Sequence, residues 1–449
     1  MSVRQDANTA SSSVDECLQR IEAVNPQLNS VITLAGDSAL EAARAADAAT
    51  NKGDWLGLLH GVPMLIKDNI DTAGIRSTSG ASFLAEHVPN RDATVVRRLR
   101  AAGAIVLGKS NLHELCFGIR SNNSVAGQCH NPWSAEHIPG GSSGGSGASL
   151  AADFCVGALG SDTGGSVRLP ASMNGVSGLR PTVGRVPNTG SMAVSGSQDT
   201  IGPMARRVSD VARILAVIAG YDDADPVTVS KPLSNFLPTL DDGIEGVRIG
   251  IPRAGYFDGA DPSVEAAVRQ AARELERLGA RLVEVDVPGM QDTHRWASVV
   301  IFSDACALHR ERLETTPEAF DPETLKRMRT GLNFTGADYA DAMRMRERWQ
   351  RTLAQLFDTV DVLLSPTVHT EVPLIDDNKD LLQATRDATR NTYAGAFGQI
   401  PGLSIPCGFS TAGLPVGLQL EAAWWEEPLL LRIGHSFQKV TDWHLRTPG

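Results

Sequence analysis

Beyond Thr94 the chain alternates between helix-period and strand-like segments, and that alternation narrows the fold more than any other feature. Residues 94–102 carry helix spacing and are followed by a short apolar run at 104–107. The pattern returns at 246–251 (strand), 262–278 (amphipathic helix) and 280–287 (strand). It returns again at 339–357 (helix) and 360–364 (strand), the latter ending on Ser365-Pro366. Residues 403–406 and 415–420 read as two more strands, and 428–439 as a closing helix. Such alternation predicts an α/β fold, with a central mixed β-sheet surrounded by helices.

The N-terminal part fits the same plan. Ser13-Val14-Asp15-Glu16 reads as a capping box opening a first helix, which Asn25-Pro26 should stop. Residues 38–49, rich in Ala, predict a second helix. Residues 62–66 predict a short buried strand that delivers Lys67 at its end. Residues 222–243, rich in Asp, Pro and Ser, read as a long surface connection within one domain spanning 1–449.

Charge and composition exclude several function classes. The net charge of −11 argues against a general affinity for nucleic acid or anionic membrane, and no Lys/Arg run suggests a local exception. The expectation is therefore a protein with no nucleic-acid partner and no membrane association. No stretch approaches the roughly 18 apolar residues of a membrane helix, and the polar first 13 residues hold no apolar signal segment. The six cysteines (17, 116, 129, 155, 306 and 407) are scattered without a C-x-x-C pair, which predicts free thiols and a cytoplasmic protein. No metal or cofactor motif is present.

Chemistry concentrates in residues 140–171, GGSSGGSGASLAADFCVGALGSDTGGSVRLPA. Two Gly/Ser-rich segments, 140–147 and 160–166, flank a short apolar stretch. Two such turns at the ends of one short element bring their serines and backbone N–H groups together. A Ser nucleophile needs a base and oxyanion donors, and Thr163-Gly164-Gly165-Ser166 can supply donors, because small residues leave successive N–H groups unshielded. The G-x-S-x-G at 140–144 lacks the apolar strand that precedes a nucleophile elbow. No G-K-[ST] follows to make a phosphate loop, and a linker would not embed Phe154-Cys155-Val156. For the base, His60, His113 and His130 lie near Gly-containing turns, but no motif positions them. Lys67 is the other candidate: buried against apolar walls, a lysine can become neutral near pH 7. Read alone, the surface lysine paired with Asp68 is the favoured alternative, since most lysines are solvated.

Residues 140–171 resemble the amidase signature along their full length. Leu59-His60-Gly61-Val62-Pro63 to Lys67-Asp68 is similar to that family's G-x-P-x-x-x-K-D segment. Further likeness lies in Gly108-Lys109-Ser110-Asn111, His130-Asn131-Pro132-Trp133, Gly178-Leu179-Arg180-Pro181-Thr182 and Gly413-Leu414-Pro415-Val416-Gly417-Leu418-Gln419. It is densest over about 55–215 and weakest over about 291–385, the expected specificity region. The resemblance implies a serine amidohydrolase with a Ser–cis-Ser–Lys triad: Ser166 as nucleophile, Ser142 as bridging serine and Lys67 as base. It implies an oxyanion hole from the N–H groups of Thr163 to Ser166, and an acyl pocket at Phe117 and Gly118. Asp162 and Arg168 are expected as a structural ion pair.

The main expectation is hydrolysis of a small amide to carboxylate and ammonia or amine, with a small-molecule substrate and a homodimeric assembly of the kind common among relatives. One alternative is the glutamine-hydrolysing A subunit of a tRNA-dependent amidotransferase. Relatives of that kind bind glutamine with an acidic residue about where Thr389 stands here, with Asp387 close by. The other alternative is a non-catalytic partner retaining the fold.

Overall fold

A computed structural model describes residues 9–232 and 235–449. Eleven strands form one mixed sheet, and fourteen α-helices are found among the described residues. The strands are β1 (Val31–Leu34), β2 (Pro63–Lys67), β3 (Ile105–Ser110), β4 (Gly157–Asp162), β5 (Ser177–Arg180) and β6 (Thr200–Ala205). They continue as β7 (Arg248–Pro252), β8 (Arg281–Val285), β9 (Val362–Pro366), β10 (Gly402–Phe409) and β11 (Pro415–Ala422). Their order across the sheet is β1-β3-β2-β4-β6-β5-β10-β11-β9-β7-β8. The α/β expectation holds, and the chain is a single domain.

What positions the site is the pair β2 and β4. They run parallel as neighbours, with Ile66 opposite Leu159. Met64, Leu65 and Ile66 are wholly buried, so the sheet's interior drives β2 into place and Lys67 follows at its carboxyl end. Asp162 ends β4 beside it. In open α/β sheets the carboxyl ends of adjacent parallel strands are where ligands bind. The short buried helix Gly144–Ala151 fills the link between the two Gly/Ser segments and returns the chain to β4.

Two local expectations fail for identifiable reasons. The first helix spans Ala10–Leu28, not from Ser13: Thr9 is the cap, its hydroxyl accepting from the Ser12 N–H at 3.1 Å. Asn25-Pro26 does not stop it. Pro26 sits inside the last turn, and the helix closes at Asn29, whose N–H donates to the Asn25 carbonyl. Pro26 is exposed there, as is Glu22, whose carbonyl loses its helical donor to the missing proline N–H. The remaining predicted elements lie within a few residues of those observed, as in Pro262–Arg277 and Glu427–Val440.

Candidate active site

Lys67 is fully buried. Its Nζ donates to Ser142 Oγ at 2.7 Å and to Ser161 Oγ at 2.8 Å. Burial pulls its pKa below the usual lysine range, against smaller opposing effects of Cys116, Asp162 and Asp199. The surface pairing with Asp68 does not occur. Asp68 instead accepts from the Thr78 N–H and hydroxyl and lies 3.7 Å from Lys109. Ser142 is also wholly buried and follows a cis peptide bond from Gly141. Its carbonyl accepts from the His113 N–H at 3.1 Å.

The second Gly/Ser turn is held from below by a carboxylate. Asp162 accepts from the N–H groups of Gly165 (2.7 Å) and Val167 (3.2 Å) and from the guanidinium of Arg168 (3.1 Å). Arg180 donates to its carbonyl and carboxylate as well. Burial alone would raise the Asp162 carboxyl, but Arg168 and Arg180 outweigh it and hold the group well below the carboxylate range. The expected ion pair is therefore present, and Arg180 joins it. The Ser143 N–H donates to the Ser166 carbonyl at 3.2 Å, which ties the two turns together.

This arrangement sorts the four candidate oxyanion donors. The Gly165 N–H is engaged by Asp162 and faces away from the pocket. The N–H groups of Thr163, Gly164 and Ser166 have no acceptor among the described residues. Ser166, Thr163, Gly164, Phe117 and Gly118 line one small cavity of about 20 Å³, with Ser166 partly exposed into it. Gly164 must be glycine, since a Cβ there would lie 2.3 Å from the Tyr393 ring. Gly118 is pinned likewise: a Cβ would meet the His113 ring at 2.2 Å.

No histidine ring among the described residues hydrogen-bonds Ser142 or Ser166; His113 reaches Ser142 through its backbone N–H alone. His60 contacts Thr50 and the Leu56 N–H, and His130 contacts the Ala135 carbonyl. His113 is buried with neither ring nitrogen partnered, and burial lowers its pKa to about 3.

Several residues here carry no sequence signal. Ser161 gives Lys67 its second partner. Asp199 accepts from the Thr163 hydroxyl at 2.5 Å and from the Val194 and Ser195 N–H groups, and so anchors the oxyanion turn. Arg327 is the least expected. It is 4% exposed and borders the cavity beside Ser166. Its guanidinium donates to Thr385 Oγ1 at 2.6 Å, stands near the Tyr393 phenol, and lies 4.6 Å from the Phe117 ring centre. Its Nε has no partner, and no carboxylate among the described residues pairs with it. Thr389 also lines this cavity, its hydroxyl donating to the Thr385 carbonyl at 2.7 Å. Asp387 turns outward to Lys379 (2.8 Å) and Gln383 (2.6 Å).

Among the described residues no three His, Cys, Asp or Glu side chains are grouped to hold a metal, and all six cysteines are free. No described helix is long and apolar enough to cross a membrane.

The sequence profile of the family described as Amidase matches residues 12–431. The A subunit of the glutamyl-tRNA(Gln) amidotransferase of Roseiflexus sp. (strain RS-1) is 41% identical over 97% of this chain and 93% of its own length. Its counterpart from Synechococcus sp. (strain WH7803) is 37% identical over 95% of this chain and 93% of its own. Among solved structures, the native peptide amidase from Stenotrophomonas maltophilia superposes with a TM-score of 0.85 at 32% identity, covering 98% of this chain and 95% of its own. A structure reported as an unexpected vestigial protein complex, revealing the evolutionary origins of an s-triazine catabolic enzyme, superposes with a TM-score of 0.91. It is 32% identical and covers 96% of this chain and 95% of its own. These relatives correct the partner expectation. Net charge argues against nucleic acid and for a small-molecule substrate alone, yet the A subunit of a glutamyl-tRNA(Gln) amidotransferase works, by its name, on a tRNA-linked reaction within a larger enzyme. A net charge averages over the whole surface and carries no information about another polypeptide that could contact the RNA. The chain belongs to the amidase family and is a C–N hydrolase.

Proposed function

We propose that the protein releases ammonia from the carboxamide of a small, carboxylate-bearing amide through an acyl-enzyme on Ser166, with glutamine as the donor and an amidotransferase as its setting. The observation that carries the chemistry is the wholly buried Lys67, with its lowered pKa, 2.7 Å from Ser142, whose neighbour Ser143 is tied through its N–H to the Ser166 carbonyl. Neutral Lys67 takes a proton from Ser142 as Ser142 takes that of Ser166. The Ser166 oxygen bonds to the amide carbon, and the free N–H groups of Thr163, Gly164 and Ser166 hold the oxyanion. The C–N bond breaks, and the nitrogen leaves as ammonia with the proton returned through Ser142. Water then cleaves the ester, regenerating Ser166 and giving a carboxylate.

The amidotransferase relatives supply glutamine and the multi-chain setting. Arg327 supports an anionic donor independently: a buried guanidinium without a counter-ion is costly unless a ligand brings one. Residues 55–215 would then carry catalysis and 291–385 the recognition of the donor. Six free thiols and this setting fit the cytoplasm.

Arg327→Gln should lower kcat/KM for ammonia release from glutamine by roughly 30-fold or more, since removing one partner of a buried charged hydrogen bond costs about 2 kcal/mol or more. A coupled glutamate dehydrogenase assay reads this directly. An unchanged KM and kcat would remove Arg327 from donor recognition.

A further inference from the structure

The cavity beside Ser166, at about 20 Å³, holds on the order of one water. That is room for the reacting carboxamide and little else. A second cavity of about 260 Å³ adjoins it, and the two share Arg327, Thr385 and Tyr393 as their common wall. The outer cavity is the larger of the two spaces that this wall borders.

Its lining sets the chemistry. His294 stacks on Tyr393, with ring centres 4.5 Å apart and planes 11° apart. Burial, with Arg386 and Arg327 nearby, lowers the His294 pKa to about 4, so the ring is neutral at pH 7. Trp296, Phe302 and Phe334 add further flat apolar surface. Three guanidinium groups border the space, those of Arg295, Arg327 and Arg386, and none forms an ion pair with a carboxylate among the described residues. The single carboxylate there, Asp338, is engaged in capping its own helix, accepting from the Thr335 N–H and hydroxyl.

We propose that the outer cavity is an acyl subsite for flat, anionic bodies, so that the protein also hydrolyses planar carboxylated amides and prefers them to their uncharged counterparts. The inference rests on Ser166 as the nucleophile, not on glutamine as the donor. For the probe 4-carbamoylbenzoate the balance is one amide and one water giving benzene-1,4-dicarboxylate and ammonium. Aromatic contact with the His294–Tyr393 pair and charge contact with the arginines act together on such a body.

The test measures ammonia release from 4-carbamoylbenzoate and benzamide. The expected result is a kcat/KM for 4-carbamoylbenzoate at least tenfold above that for benzamide. Leu382→Trp, which places an indole in the outer cavity, should reduce that value at least tenfold. Calorimetric titration of Ser166→Ala with 4-carbamoylbenzoate and benzamide reads binding apart from chemistry and should show the same order. Benzamide turned over as well as or better than the aromatic acid, equal binding of the two, or no effect of Leu382→Trp overturns the subsite. Ammonia release by Ser166→Ala would instead overturn the nucleophile assignment, so the two failures are told apart.

Discussion

Ser166→Ala should lose ammonia release from glutamine by about 10⁴-fold or more while keeping the native circular dichroism spectrum. The size follows from serine hydrolases generally, where removing the nucleophile leaves only the residual catalysis of binding and the oxyanion hole. Retention of the fold follows from the local contacts. The interactions that hold this turn are the Ser166 carbonyl to the Ser143 N–H and the Asp162 carboxylate to the Gly165 and Val167 N–H groups. None of them involves the Ser166 hydroxyl. The same loss in Ser143→Ala, with Ser166→Ala active, would move the nucleophile to the other turn.

Lys67→Met should be about as severe, since the proton taken from Ser166 would have no acceptor. Lys67→Arg should not rescue it, because a guanidinium stays protonated and cannot act as a base. The wild-type pH profile carries the sign. Burial lowers the Lys67 pKa, and the neutral amine is the active form. Activity should therefore fall as pH drops through that lowered pKa and be retained above it. A profile that instead falls on the alkaline side through a lysine-like ionisation would require a protonated Lys67. Methionine removes an amine that is desolvated in the folded state, so the variant should remain folded.

The parts of this site that could be read from sequence are those set by local chain geometry. Residues 62–66 are a continuous apolar run, and such a run at the middle of an α/β sheet becomes a fully buried strand, which fixes where Lys67 emerges. The Gly/Ser segments fold as turns because their residues are small, and Gly164 shows the constraint in its 2.3 Å approach to Tyr393. The role of Lys67 was not legible from composition alone. The same residues fit a surface lysine beside Asp68, and only the distant Thr78 and Lys109 draw Asp68 away. Ser161, Asp199, Arg327 and Tyr393 come from four separated segments. Their functions arise from long-range packing, in which Arg327 meets Thr385 across 58 positions of sequence. No periodicity or spacing encodes such a meeting. The early start of the first helix is a smaller case of the same kind: Thr9 caps it, and the carboxylate of Asp47, 36 and 37 positions away, accepts from the Ser11 and Ala10 N–H groups of its first turn.

The most direct test of the account is covalent labelling with a fluorophosphonate, which gives up fluoride and bonds to an activated serine oxygen. Peptide mapping by mass spectrometry should place one adduct on Ser166 in the wild type, greatly slowed labelling in Lys67→Met, and none in Ser166→Ala. An adduct on Ser142, Ser143 or Ser161, or labelling of Ser166 at an undiminished rate without Lys67, would contradict it.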